Sequence, residues 1–232
     1  MRRMPSMSRR GDFDTLSLDV FSQLRSDILS GRIPPGERLK PTHLRERFDV
    51  SVGVVREALT RLTEQNLATG EYNKGFRVVS LTYPELVSIT AARVLNECAA
   101  LRTAIEIGDL TWETNVVAAH HRMTASTPTP GDPASYDVFA EAHKNFHFAL
   151  LDGCQNPYMI DICSRLFAAS EIYRRWSAPQ IKHRNAAAEH LAIMESSLAR
   201  NADDAVEHYR QHIQLTSDLI EELLQSQDAG ES

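Results

Sequence analysis

The stretch "LRERFDVSVGVVREALTRLTEQNLA", residues 44–68, holds two apolar-faced segments of helical period separated by a turn. Pro41-Thr42 starts the first segment, which runs through Phe48 with Leu44 and Phe48 directed inward. Asp49-Val50 makes the turn, and the Ser51 hydroxyl is placed to cap the second helix. The second segment buries Val55, Leu59 and Leu62, while Val52, Gly53 and Arg56 face outward near its start. A helix that enters a DNA major groove needs this division, with a free N-terminal end and a back face that holds it to its domain.

The flanks complete the pattern. From Thr15 to Ser30, Leu16, Val20, Leu24 and Ile28 recur every four positions, and Gly31 with Pro34-Pro35 stops that helix. "PPGERLK" is read as a short extended connection. After Asn66, "LATGEY" and "GFRVVS" flank Asn73-Lys74, with Gly75 supplying turn freedom, which reads as a small hairpin. Three helices and a hairpin, in that order, make a winged helix-turn-helix over residues 14–80. Residues 1–13, basic and without an apolar core segment, are read as a disordered arm.

Everything after Leu81 has helical period. Candidate helices span 83–107, 111–125, 135–152, 157–177, 184–200 and 202–226, with 227–232 as a tail. Short connections between them predict an antiparallel bundle of six or seven helices over residues 81–226, so the fold class is mainly α. "STPTPGDP", residues 126–133, is the one Pro-rich loop. No run approaches the roughly 20 apolar residues of a membrane span, and no secretion signal opens the chain, which is read as cytoplasmic. Cys98, Cys154 and Cys163 form no CxxC and are read as reduced, small apolar residues.

Charge separates the two parts. The chain carries a net −6, yet residues 1–80 hold 14 Lys/Arg against 10 Asp/Glu, and the remainder 11 against 21. A basic head on an acidic body directs only the head toward a polyanion. In that head Arg56 has the reach to bind guanine bidentately or to clamp a phosphate. Arg45 is placed for the DNA backbone and Lys74 for the minor groove. The alternative for each is a solvated charge with a helical partner.

Eight of the nine histidines lie after residue 80. His143 and His147 stand four apart and so share one helical face; His190 and His212 sit on late helices of the expected bundle. Imidazoles converging from three helices hold ions such as Zn²⁺ or Ni²⁺, whereas a single histidine beside apolar residues is usually just hydrogen-bonded core. Spacing alone leaves both readings open. Glu189 and Glu141 are candidate partners for the outer ring nitrogens.

The run of residues 44–68, together with the later "NKGFRVV", resembles the DNA-binding head of GntR-family transcription regulators. The helical remainder resembles the FadR-type ligand-sensing (FCD) domain. The resemblance implies a homodimer on operator DNA of two-fold symmetry, with Ser51, Val52, Gly53, Arg56, Arg45, Lys74 and Gly75 at the interface. The family often has Arg, Thr and Pro after the turn serine, where this chain has Val52, Gly53 and Val54; specificity then rests more on Arg56, thymine methyl contacts and DNA shape. It also implies a divalent metal site built from His147, His190 and His212. His143 replaces the family's aspartate, giving either a fourth nitrogen ligand or a bystander. A small carboxylate effector is implied beside the metal; Arg93 matches the arginine of the first sensing helix, and Tyr173 and Arg174 are further candidates. The reading is a repressor controlled by a small organic acid, with no membrane partner. The rival is a metal-dependent enzyme using a three-histidine site, against which stand the lack of HExxH, of a phosphate loop and of a nucleophile elbow.

Overall fold

A computed structural model describes residues 8–29, 31–65, 67–71, 75–129, 132–177 and 184–230. The chain divides into two compact units after Leu81. The first contains α1 (Ser8–Leu29), β1 (Arg38–Leu39), α2 (Pro41–Phe48), α3 (Val52–Glu64), β2 (Ala68–Glu71) and β3 (Gly75–Val78). The second contains α4 (Tyr83–Ile107), α5 (Leu110–Ala125), α6 (Pro133–Asp152), α7 (Pro157–Ser177), α8 (Ala186–Leu198) and α9 (Ala202–Gly230). The expected mainly-α architecture, winged helix-turn-helix plus helical bundle, is what the chain forms.

In the first unit α3 packs its back face on α1 and α2. Val55, Ala58, Leu59 and Leu62 of α3 are fully buried against Leu24 and Ile28 of α1 and Leu44 of α2. The turn between α2 and α3 closes through Asp49 in the left-handed region (φ 50°), where a short polar side chain is tolerated. The Ser51 hydroxyl then accepts from the Val54 amide at 3.3 Å and starts α3.

Three local readings differ from the structure. Leu16 is exposed and Ser17 buried in its stead, because steps of four residues drift about 40° each off a 3.6-residue helix. The segment "PPGERLK" contributes a strand: β1 pairs antiparallel with β3, Arg38 opposite Arg77 and Leu39 opposite Phe76, so the sheet order is β1-β3-β2. Two residues are too few to show alternation in sequence. The helix ends also run further than expected. Residues 1–7 lie outside the described residues, but α1 already begins at Ser8, inside the segment read as an arm. Gly11 alone costs only about 1 kcal/mol in a helix interior. Likewise α9 continues to Gly230, past the expected end at 226, since no Pro or Gly precedes that point to stop it.

In the second unit α4 lies against α7 and α9, α5 against α6, and α8 against α9. Its core joins Ala100, Leu101 and Ile105 of α4 to Phe146 and Leu150 of α6, Ile193 of α8, and Tyr209 and Ile213 of α9. Asp109, Asp132 and Asn185 cap α5, α6 and α8 with side-chain oxygens. The three thiols are free. Burial pushes Cys98 up to about 11 and Cys163 up to about 12, so both stay protonated and unreactive. Among the described residues no helix is long and apolar enough to cross a membrane.

Trp112 locks α5 to α6. Its indole Nε1 donates to the Leu150 carbonyl at 3.2 Å. The ring lies so close to two glycines that a Cβ at Gly108 would stand 2.6 Å, and at Gly153 2.8 Å, from indole atoms. Gly153→Ala is expected to destabilise the chain by about 1–3 kcal/mol through overpacking, read as a lower midpoint in guanidinium denaturation; an unshifted midpoint would show that the indole has room to move.

Candidate metal centre and DNA-binding surface

On α3, Val54 and Val55 turn into the core, leaving Ser51, Gly53 and Arg56 exposed and Val52 half-buried at the helix start. Arg45 of α2 is exposed as well. Among the described residues neither Arg45 nor Arg56 pairs with an acid, whereas Arg61 further along α3 is held by Glu57 at 3.2 Å. The unpaired guanidinium of Arg56 therefore stands at the end of α3 that a major groove would receive. Gly75 adopts φ 91°, the left-handed freedom the wing turn needs; Lys74 lies outside the described residues. The other arginine of α2, Arg47, is committed inward to the buried carboxylate of Asp27, which also takes Arg32 at 2.6 Å.

The four histidines singled out in the second unit converge. His143 and His147 come from consecutive turns of α6, His190 from α8 and His212 from α9, and one nitrogen of each lies within 4.8 Å of the others. Their relative exposures are 5%, 1%, 3% and 6%. Phe146 and Phe167 wall the cluster, both rings within 6 Å of His147. In this apolar setting desolvation holds His143, His147 and His190 well below the usual imidazole pKa of 6.5; neighbouring imidazoles and arginines push the same way, and at His190 Glu189 opposes them. Burial lowers His212 too, against the pull of its bond to Glu189. All four are neutral near pH 7, the form in which imidazole binds a metal.

The outer nitrogens show how the rings are aimed. His212 Nδ1 meets Glu189 Oε2 at 2.7 Å. Arg184 Nη2 also lies 3.0 Å from this nitrogen, but its two hydrogens go to Glu189 Oε2 and the His212 carbonyl. Facing a carboxylate that can only accept, Nδ1 carries the proton and Nε2 its lone pair. Burial alone would raise Glu189, but hydrogen bonds from Arg184 and His212 bring it down to about 2, so it stays ionised. Arg184 grips it with contacts of 2.6 and 2.9 Å. His147 Nδ1 lies 3.0 Å from the Tyr209 hydroxyl, and that hydroxyl is 2.8 Å from Glu97 Oε2. His147 Nε2 is 3.1 Å from His143 Nε2. Two ring nitrogens of the cluster, His143 Nδ1 and His190 Nε2, are buried with no partner.

These features fit a divalent cation. Nitrogen–metal bonds of about 2.1 Å set ligand nitrogens about 3–4 Å apart, so the cluster needs side-chain movements of under about 1 Å. Orphaned buried nitrogens are otherwise a cost. Sequence spacing missed His120 of α5, whose Nε2 is also buried without a partner and whose ring meets Phe146 edge-on at 5.3 Å. Its neighbour in sequence, His121, hid it, since adjacent residues face different ways.

The three residues considered for an effector have different surroundings. Arg93 is buried on α4, with Nε and Nη2 donating to Glu97 at 2.7 and 3.0 Å and Nη1 to Ser170 at 3.0 Å. Tyr173 is buried on α7, and its hydroxyl meets the amide and carbonyl of Thr82 and the Glu85 carboxylate at the start of α4. Arg174 is part-exposed, held by Glu171 at 2.6 Å, and its charge bears on both His143 and His147. Tyr209, Glu97 and Arg184 were not singled out from the sequence, although Tyr209 precedes His212 by three and Glu97 comes four after Arg93, each on one helical face.

Burial of neutral imidazoles has a pH signature. Their folded-state values are depressed below 6.5, so the unfolded chain binds more protons at mild acidity. That contribution to stability is full above about pH 6.5 and is lost as pH falls below it. With metal removed by chelation, the urea midpoint should hold between about pH 7 and 8 and drop between about 6.5 and 5; a flat profile through that lower window would mean the folded cluster accepts protons.

Comparison with known proteins agrees with both halves. Residues 16–78 match the model for bacterial regulatory proteins of the gntR family, and residues 88–215 match the FCD domain. The chain is 35% identical to the HTH-type transcriptional regulator BphR of Paraburkholderia xenovorans, over 87% of this chain and 83% of that protein. It is 30% identical to the HTH-type transcriptional repressor GlaR of Escherichia coli, over 90% of this chain and 97% of that one. A GntR regulator from a Rhodococcus species shares the fold with a TM-score of 0.65 at 22% identity, covering 88% of this chain and 96% of the other. Escherichia coli McbR/YncC does so at 0.66 and 18%, covering 90% and 98%. The chain therefore belongs to the GntR family of transcription regulators, with an FCD domain as its second part, and is not an enzyme.

Proposed function

We propose that this regulator is a metal-dependent repressor that binds operator DNA as a homodimer and responds to a small organic acid. The observation that carries the reading is the buried cluster of His143, His147, His190 and His212 inside the FCD domain. Four neutral nitrogens suit borderline ions such as Zn²⁺ and Ni²⁺ better than Mg²⁺ or Ca²⁺, which take oxygen ligands. The bound ion brings +2 into a site whose donors carry no charge, and an anionic effector offsets it. Of the three effector candidates, Arg174 is the least buried. Both arginines' charges bear on the cluster, but Arg93 is held by Glu97 and Ser170 in the core, so Arg174 is the cation to meet the effector's carboxylate on leaving Glu171. Arg93 and Tyr173 support the site from behind.

In the head, the start of α3 carries the DNA contact: Ser51, Val52, Gly53 and Arg56, with Arg45 on the backbone and the wing at Lys74-Gly75 against the minor groove. Control requires the effector to favour one arrangement of the dimer by differential affinity, and a coupling of ~1–3 kcal/mol changes occupancy usefully.

Selection of bound fragments from genomic DNA is expected to return a short two-fold site, and its neighbouring genes narrow the effector screen. On that site Arg56→Ala should weaken binding at fixed salt by more than ~1 kcal/mol. Fluorescence anisotropy decides the matter; unchanged affinity would remove Arg56 from the interface. His147→Ala should keep operator affinity in metal-free protein while abolishing stoichiometric Zn²⁺ and the response to organic acids. Zn²⁺ retained by that variant would overturn the metal reading.

A further inference from the structure

We propose that Tyr209, with Glu97 and Arg93 behind it, is a positioning unit that fixes the proton of His147 on Nδ1 and so turns Nε2 toward the metal. The inference rests on the metal reading above and goes beyond it by assigning three residues that touch no ligand position.

Proton accounting carries the argument. Glu97 receives two hydrogen bonds from the Arg93 guanidinium, at 2.7 and 3.0 Å, and is therefore a carboxylate that can only accept. The Tyr209 hydroxyl, 2.8 Å from Glu97 Oε2, must donate to it. A phenol that has given its one hydrogen to Glu97 can only accept at its other side. The nitrogen found there, His147 Nδ1 at 3.0 Å, must then be the N–H. His147 Nε2 is left with a lone pair facing His143, His190 and His212. Reversing any step leaves two lone pairs facing each other or a buried carboxylate unsatisfied, each costing about 1–3 kcal/mol.

The same logic is built a second time with different parts. His212 donates from Nδ1 to Glu189, and Arg184 neutralises Glu189. Each half is a histidine, a carboxylate and an arginine; at His147 a tyrosine is inserted because Glu97 stands on α4, one side chain further away. The Arg93–Glu97 pair is also tied to α7 through Ser170 and under the Phe167 ring. The unit thus links α4, α6, α7 and α9 around one ring nitrogen. Such outer partners typically change metal affinity about 10- to 100-fold.

The test uses the full chain and Zn²⁺ as probe. Tyr209→Phe keeps the ring in the core and deletes only the hydroxyl, leaving Arg93 and Glu97 paired. In metal-free wild type, nitrogen-15 NMR of the histidine rings should show His147 protonated at Nδ1, the signal being assigned by its loss in His147→Gln. In Tyr209→Phe the Nε2-protonated form should appear. Zn²⁺ affinity, measured by competition with a chromophoric chelator, should fall about 10- to 100-fold, and the visible spectrum of the Co²⁺ form should shift. Wild-type His147 protonated at Nε2 would overturn the assignment without any variant being needed. Zn²⁺ affinity within about twofold of wild type in Tyr209→Phe, well short of the change expected of an outer partner, would overturn Tyr209 as a positioning residue and leave the metal centre standing. Wild type that fails to compete for Zn²⁺ at all would remove the metal centre itself, and the proposed role with it.

Discussion

The second unit is organised around one constraint: four imidazoles are buried together, and a buried imidazole has one N–H to give and one lone pair to satisfy. Bulk solvent does not reach this depth, so helices must supply the complement. α9 brings Tyr209 and α4 brings Glu97 to His147, while Glu189, one residue before His190 on α8, serves His212 on α9. Among the described residues His143 Nδ1 and His190 Nε2 are given no such complement. Phe146 and Phe167 keep the cluster dry, which holds the rings neutral and strengthens every polar contact among them.

Much of this was legible in sequence. Apolar period gave α4 and α7 their bounds, and the order of helices and hairpin gave the head. The histidines were visible because imidazole is rare on an apolar face and because His143 and His147 repeat at four. Their convergence was not, since no one-dimensional pattern says that α8 and α9 lay their inner faces on α6. Nor were the supports. Tyr209 and Glu97 have ordinary core or surface readings until their three-dimensional placement joins them to Arg93. The strand β1 escaped for a different reason: its two residues are defined by hydrogen bonds to β3, whose Arg77 and Phe76 are distant in the chain, and carry no pattern of their own.

The family match fixes the class of molecule, and the points where this chain departs from the family's usual residues are where its own chemistry lies. If His143 stands where the family has an aspartate, as the sequence resemblance implies, the proposed donor set has one negative charge fewer. A site of four neutral nitrogens has to find its counter-charge elsewhere. The nearest carboxylates, Glu97 and Glu189, are each already matched by an arginine, so neither is free to neutralise an ion. In the head, Val52-Gly53-Val54 stands at the tip of α3 where, as the sequence resemblance implies, the family often has Arg, Thr and Pro. Val54 is spent on the core, which leaves Val52, Gly53 and Arg56 as the outward residues at that end of α3.

Arginine illustrates how the same side chain is put to opposite uses. Arg93 and Arg184 are nearly dehydrated, and each has a carboxylate four or five residues along the chain that shares its burial. Removing water from both partners is costly, and the bidentate geometry is what offsets it. Those arginines are fixed and have little left to offer a ligand. Arg45 and Arg56 make no ion pair among the described residues: Glu46 and Glu57 are adjacent to them on a helix and cannot face them, and Asp49, four residues after Arg45, is not paired with it. Both guanidiniums consequently stay hydrated and uncommitted. An arginine that must exchange water for a phosphate or a guanine can do so only if no carboxylate already holds it. Ion pairing thus separates the arginines fixed inside the second unit from the two in the head that make no ion pair among the described residues.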